Sequence, residues 1–247
     1  GMYYDMKMTQ QGNDKKFTQI CIDFCKEDIK KLKEDVVNGK AKDKLNVVST
    51  NDVICCHMWK LLGMLRTGED RTEDTIFPVF IIYNFRKLWK QIDENYFGNG
   101  VTHLILEASK KELIESDLSE LVFRMRDEIQ KFSEQDVQDV MDVLERNETP
   151  LPKTPLDPHN GFTNTNWAKF DLLNVDFGKG KPFRMYCPVG GVAPWSSRIL
   201  KNDADGASFI IFVDEEVLSK FNELKKMKVL TSTLAYQKIS KDGEILN

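Results

Sequence analysis

The sequence predicts an α/β or α+β domain in which a mixed β-sheet is flanked by helices. Two observations carry this. Segments with alternating apolar residues and segments with helical spacing interleave from one end of the chain to the other. The chain has 247 residues, 41% hydrophobic and 30% charged, enough to bury a core and ordinary for a globular protein.

The elements follow in order. Residues 1–16 are polar and read as a flexible N-terminus. From Phe17 to Phe24 the pattern alternates, with Ile20, Ile22 and Phe24 on one face and Gln19, Cys21 and Asp23 on the other. That is a half-buried strand. The stretch Glu27 to Lys33 is acidic first and basic last, as the helix dipole prefers. Ser49 with Asp52 three residues on forms a capping box, opening a helix through Val53, Ile54, Trp59 and Leu62. Residues 76–83 are β-rich, and Pro78 marks a strand start or an edge. Residues 101–106 read as another strand, followed by helices at 109–131 and 134–146, the second opened by Ser133 and Asp136. The segment 147–164 holds four prolines and reads as a long surface connection. Strands are expected at about 170–175, 181–187, 197–200 and 207–213, with a hairpin turn over 202–206, and a helix over about 214–228 closes the domain. Residues 229–247 form a C-terminal extension.

The net charge is −4 with both signs interspersed, so no basic face is available for nucleic acid. No run of 18 apolar residues occurs, and nothing is expected to span a membrane. The five cysteines are odd in number and show no C-x-x-C pair; free thiols in a reducing compartment, hence a cytoplasmic location, are the simplest account. No metal is expected.

Several segments, taken in order, resemble the BAHD-type acyl-CoA-dependent acyltransferases. Residues 17–36 resemble the stretch that opens the C-terminal domain of that family, with Leu32-Lys33 at its "LK". Residues 49–59 resemble a helix ending in "AhlWr", and Asn84-Phe85-Arg86 resembles a strand-end arginine. Tyr96-Phe97-Gly98-Asn99 matches "YFGN", and Thr165-Asn166-Trp167 stands where the family has "TSW". Residues Asp176 to Pro182 match "DFGWGKP" except at Lys179, where the family has tryptophan. Each motif is weak alone; together they cover 17–228. The resemblance implies a chloramphenicol-acetyltransferase-like lobe.

One family element is missing from these residues. The general base lies in H-x-x-x-D, but His57 leads to Leu61, His103 to Glu107 and His159 to Thr163. The expectation is therefore the C-terminal lobe of an acyl-CoA-dependent O- or N-acyltransferase, with acyl-CoA as cosubstrate and a small-molecule acceptor. Its partner would be an N-terminal lobe or a second copy. No residue of this chain is assigned a catalytic role, and whether it acts as an enzyme by itself stays open. The alternative is a non-catalytic binding or interaction protein derived from that lobe.

The resemblance implies roles for named residues. Asp176 should pair with Arg86, a fork-and-carboxylate contact that pins the lobe. Gly178 and Gly180 should supply positive φ in the turn around Lys179, and Gly98 a special conformation in the turn from Tyr96 to Asn99. Thr165 and Trp167 are the candidates for lining the acyl-transfer channel. A hydroxyl there donates to an oxyanion and an indole walls the acceptor site; the competing reading makes Trp167 plain core. Cys56 and His57 are neighbours on a helix and do not face each other, so a buried thiol is the better reading than a nucleophile.

Overall fold

In the computed structural model, the described residues are 17–66, 72–146, 161–170, 172–182, 195–202, 205–230, 238–239 and 244–246. Six strands form one mixed sheet: β1 (Phe17–Phe24), β2 (Val79–Asn84), β3 (Val101–Leu106), β4 (Phe162–Asn166), β5 (Ser196–Lys201) and β6 (Ala207–Asp214). Their spatial order is β1-β6-β5-β4-β2-β3. The central pairs β2/β4 and β4/β5 are parallel; the outer pairs are antiparallel. The helices are α1 (Lys26–Val37), α2 (Thr50–Leu65), α3 (Lys110–Glu115), α4 (Leu118–Lys131), α5 (Glu134–Arg146) and α6 (Glu215–Lys226).

Helix starts are written locally. Reciprocal capping boxes join Cys25 to Asp28, Ser49 to Asp52, Ser109 to Glu112 and Asp117 to Glu120. In the box of α2, the Ser49 amide donates to Asp52 at 2.8 Å and the Asp52 amide to the Ser49 hydroxyl at 3.2 Å. The fourth box splits the helix expected over 109–131, because Asp117 caps a new helix where α3 ends at Glu115.

Helix α2 lies at the centre of the core, buried from Asp52 to Leu65. It packs between α1 and α4. On its N-terminal turn Asp52 forms an ion pair with Arg126 of α4, with Nε at 2.6 Å from the carboxylate. Farther along, the Trp59 indole N–H donates to the Phe77 carbonyl at 2.7 Å. The sheet face toward these helices carries Ile22, Phe24, Val79, Ile81, Leu104, Leu106, Phe162, Ile199, Phe209 and Ile211.

One expected strand differs from the structure. Among the described residues of 170–175 there is no strand; Leu172–Asn174 is a 3-10 turn and Phe170 is exposed. The strand is instead β4, inside the segment expected to be a connection. There Phe162 and Asn164 face the core, and Ser197 of β5 donates to the Asn164 side chain at 3.0 Å. Lys181 and Pro182 belong to no strand, and 183–187 lie outside the described residues, as do Cys187 and His159. The described part of the 229–247 stretch packs on the core through Val229 and Ile239.

Candidate functional site

The parallel run β2-β4-β5 brings the C-terminal ends of these strands to one end of the sheet. Loop 85–100 leaves from β2 and loop 167–182 from β4. Two of the family-like segments, 84–86 and 165–167, therefore lie at that end of the sheet.

Thr165 sits on β4, half-buried, in register with Arg198 of β5. Both point to the face away from the main helices, as do Thr163 and Ser196, which are also in register. Phe80, Leu200, Ile210 and Phe212 frame this face as buried apolar neighbours. Trp167 follows directly. Its backbone N–H donates to the Ile199 carbonyl at 2.8 Å, and its ring is tilted by 39° against Phe170 at 6.2 Å. The Arg198 guanidinium lies over the Trp167 ring, 5.4 Å from its centre. Trp167 is half-buried and stands outside the core cluster. The structure thus gathers Thr165 and Trp167 and adds Arg198. An arginine in a strand of mixed polarity reads from sequence as a solvent-facing residue, and only strand register places it beside Thr165.

Arg86 and Asp176 do not meet. Arg86 staples its own loop, with Nε donating to the Tyr96 carbonyl at 3.1 Å, Nη1 to Gly100 at 3.3 Å and to the Asn84 side chain at 3.1 Å, and Nη2 to the Gly98 carbonyl. Asp176 holds its own turn, accepting from the amides of Gly178, Lys179 and Gly180 at 2.7, 3.1 and 3.0 Å. Each side chain finds its partners within its own loop, and the long-range pair is not formed. Gly178 and Gly180 have φ of 84° and 96°. Gly98 differs from expectation. Its φ is not positive, and what excludes a side chain there is the Tyr96 ring, 2.4 Å from where a Cβ would sit. Asn99 is exposed, Phe97 fully so, and Phe177 is 93% exposed.

The strongly perturbed groups lie elsewhere and do structural work. His57 is enclosed in α2 with its ring edge-on to Phe24. Burial lowers its pKa to about 4, against a hydrogen bond with the backbone of Leu230. Lys60 donates to the Ile114 and Ser116 carbonyls, and burial lowers its amine to about 8. Burial pushes the Cys55 and Cys56 thiols up, and Cys56 faces Met125 at 3.6 Å, which does not suit a nucleophile. Among the described residues no group of His, Cys, Asp and Glu is placed to hold a metal, and no helix is long and apolar enough to cross a membrane.

The sequence profile of the Transferase family matches residues 3–228. The chain belongs to this family, of BAHD type. Solved structures share the fold of this chain. TRI101 of F. graminearum, solved with coenzyme A and deoxynivalenol, superposes with a TM-score of 0.77 at 18% identity, covering 87% of this chain and 49% of that one. TRI101 of F. sporotrichioides, with coenzyme A and T-2, gives 0.75 at 17%, covering 92% and 54%. Vinorine synthase gives 0.62 at 17%, covering 83% and 46%. The chain spans about half the length of each. Comparison by sequence with curated proteins returns no match.

Proposed function

We propose that this chain, over residues 17–228, is the C-terminal lobe of an acyl-CoA-dependent O- or N-acyltransferase working in the cytoplasm, with residues 1–16 and 229–247 as flanking segments. Its H-x-x-x-D general base comes from outside these residues, on an N-terminal lobe or a second copy. The observation that carries the reading is the position of Trp167. An indole destined for the core would join the helix-side cluster; this one stands half-buried beside Thr165 on the other face.

In this scheme the acceptor hydroxyl or amine attacks the thioester carbonyl of acyl-CoA after giving its proton to the histidine of the other lobe, a transfer typically worth ~10²–10⁴-fold. Thr165 donates to the oxyanion as the tetrahedral intermediate forms, and coenzyme A leaves as the thiolate. Trp167 walls the acceptor side. Arg86, Tyr96, Gly98, Asn99, Asp176, Gly178 and Gly180 shape the two loops at the mouth.

Calorimetric titration of the protein with coenzyme A and acetyl-CoA tests this. Saturable binding of both is the expected result. No binding at millimolar ligand favours the second reading, a non-catalytic interaction protein, for which Lys179 in place of the motif tryptophan and the bare Phe177 speak.

A further inference from the structure

The Arg198 side chain is a cation in an unusual setting. Its Nη1 is shut off from solvent without a hydrogen-bond partner among the described residues, and the neighbouring Ser196 hydroxyl is in the same state. The two are i and i+2 on β5, so they share one face. Thr163 and Thr165 stand opposite them on β4, and Trp167 fixes the guanidinium plane from the side. The remaining neighbour across the sheet is Ile210 of β6. The carboxylates on this face of β6 and β1 are already engaged: Asp214 accepts from the Val217 amide, and Asp23 accepts from Ser208 and Cys21. Among the described residues no ion pair compensates Arg198.

A guanidinium nitrogen taken from water requires an acceptor, and a half-buried planar fork beside hydroxyls suits a carboxylate in particular. We propose that Arg198 and Ser196 receive a carboxylate borne by the substrate, so that this transferase handles an anionic small molecule. The inference rests on the acyltransferase reading above, which places Thr165 at the reacting carbonyl. Arg198 is the register partner of Thr165, hence its next neighbour along the sheet. The phosphates of coenzyme A are held from the thioester by the full pantetheine arm, so the anion beside Thr165 belongs to the acyl group or to the acceptor.

The test is a calorimetric comparison of acetyl-CoA with malonyl-CoA, for a carboxylate on the acyl group. A parallel comparison of 3-hydroxybenzyl alcohol with 3-hydroxybenzoate covers a carboxylate on the acceptor. Native protein, Arg198→Gln and Arg198→Lys are titrated. The expected result is that one carboxylate probe binds about tenfold or more tightly than its neutral counterpart. Arg198→Gln should abolish that preference and leave acetyl-CoA binding unchanged, with Arg198→Lys retaining part of it. Native protein that binds acetyl-CoA but prefers neither carboxylate overturns the inference without any variant, and leaves the transferase reading standing. Equal loss of acetyl-CoA and malonyl-CoA in Arg198→Gln overturns it as well, since the arginine would then face the coenzyme phosphates. Failure of native protein to bind acetyl-CoA removes the transferase reading on which the inference stands.

Discussion

The first turn of helix α2 and the loop 176–180 each hold an aspartate that accepts backbone N–H, and there the likeness ends. Asp52 is 2% exposed and goes on to pair with Arg126 of another helix, on an element buried to its last residue. Asp176 is exposed and bonds only within its own turn. The loop carries the recognisable motif, whereas the helix carries the stability. A turn needs particular residues because glycine φ values and short side-chain acceptors are chemically specific. A core needs volume and apolarity, which many residues supply, so it leaves a pattern but no signature.

The sharpest way to break this contrast is Trp59→Ala. The indole is fully enclosed and its N–H serves the Phe77 carbonyl, so the change should cost about 4 kcal/mol in urea unfolding, or prevent recovery of folded protein. A loss below about 1 kcal/mol would mean that α2 is not the keystone described above. Next comes Arg126→Ala, which strands the Asp52 carboxylate. Breaking a buried pair costs about 3–5 kcal/mol, and with a quarter of Arg126 in solvent the lower end is expected.

A third probe is pH. The His57 pKa falls from 6.5 to about 4 on folding, so between these values the unfolded chain binds more protons than the folded one. Its contribution is fully present above pH 6.5 and is lost as pH falls toward 4. The melting temperature should therefore drop over this window, and His57→Gln, itself less stable at pH 7, should show a shallower drop. An equal slope in both proteins would remove His57 as the cause. The smallest effect belongs to Asp176→Asn. With no long-range partner at stake, the change should lie within about 0.5 kcal/mol. A large melting shift would instead restore the pairing with Arg86 that the sequence suggested.

Much of the fold was legible. The Ser49 and Asp52 box marks the start of α2, alternation marks β1, and strand-like composition marks β3 and β6, because each signal is local. Strand β4 was hidden because its inward residues are Phe162 and a polar Asn164, whose burial is made tolerable by Ser197 on a strand more than thirty residues away. Phe170, Leu172 and Leu173 imitate a strand by composition, yet Phe170 is 56% exposed. At the candidate site Thr165 and Trp167 were legible through their neighbours in sequence. Arg198 was not, because its place beside them is a matter of register between two strands far apart in sequence. The pair of Arg86 and Asp176 failed for the opposite reason: nearby carbonyls and amides satisfied each side chain first.

Strand β1 has β6 as its neighbour along its whole length, from Phe17 opposite Asp214 to Phe24 opposite Ala207. Asp23 and its cross-strand contact Ser208 are 185 residues apart. During synthesis, β1 leaves the ribosome long before the strand that completes it exists, and closing so long a loop is a slow, entropically costly step. The sheet should thus mature after translation rather than during it, with an unpaired apolar strand exposed to chaperones in the interval.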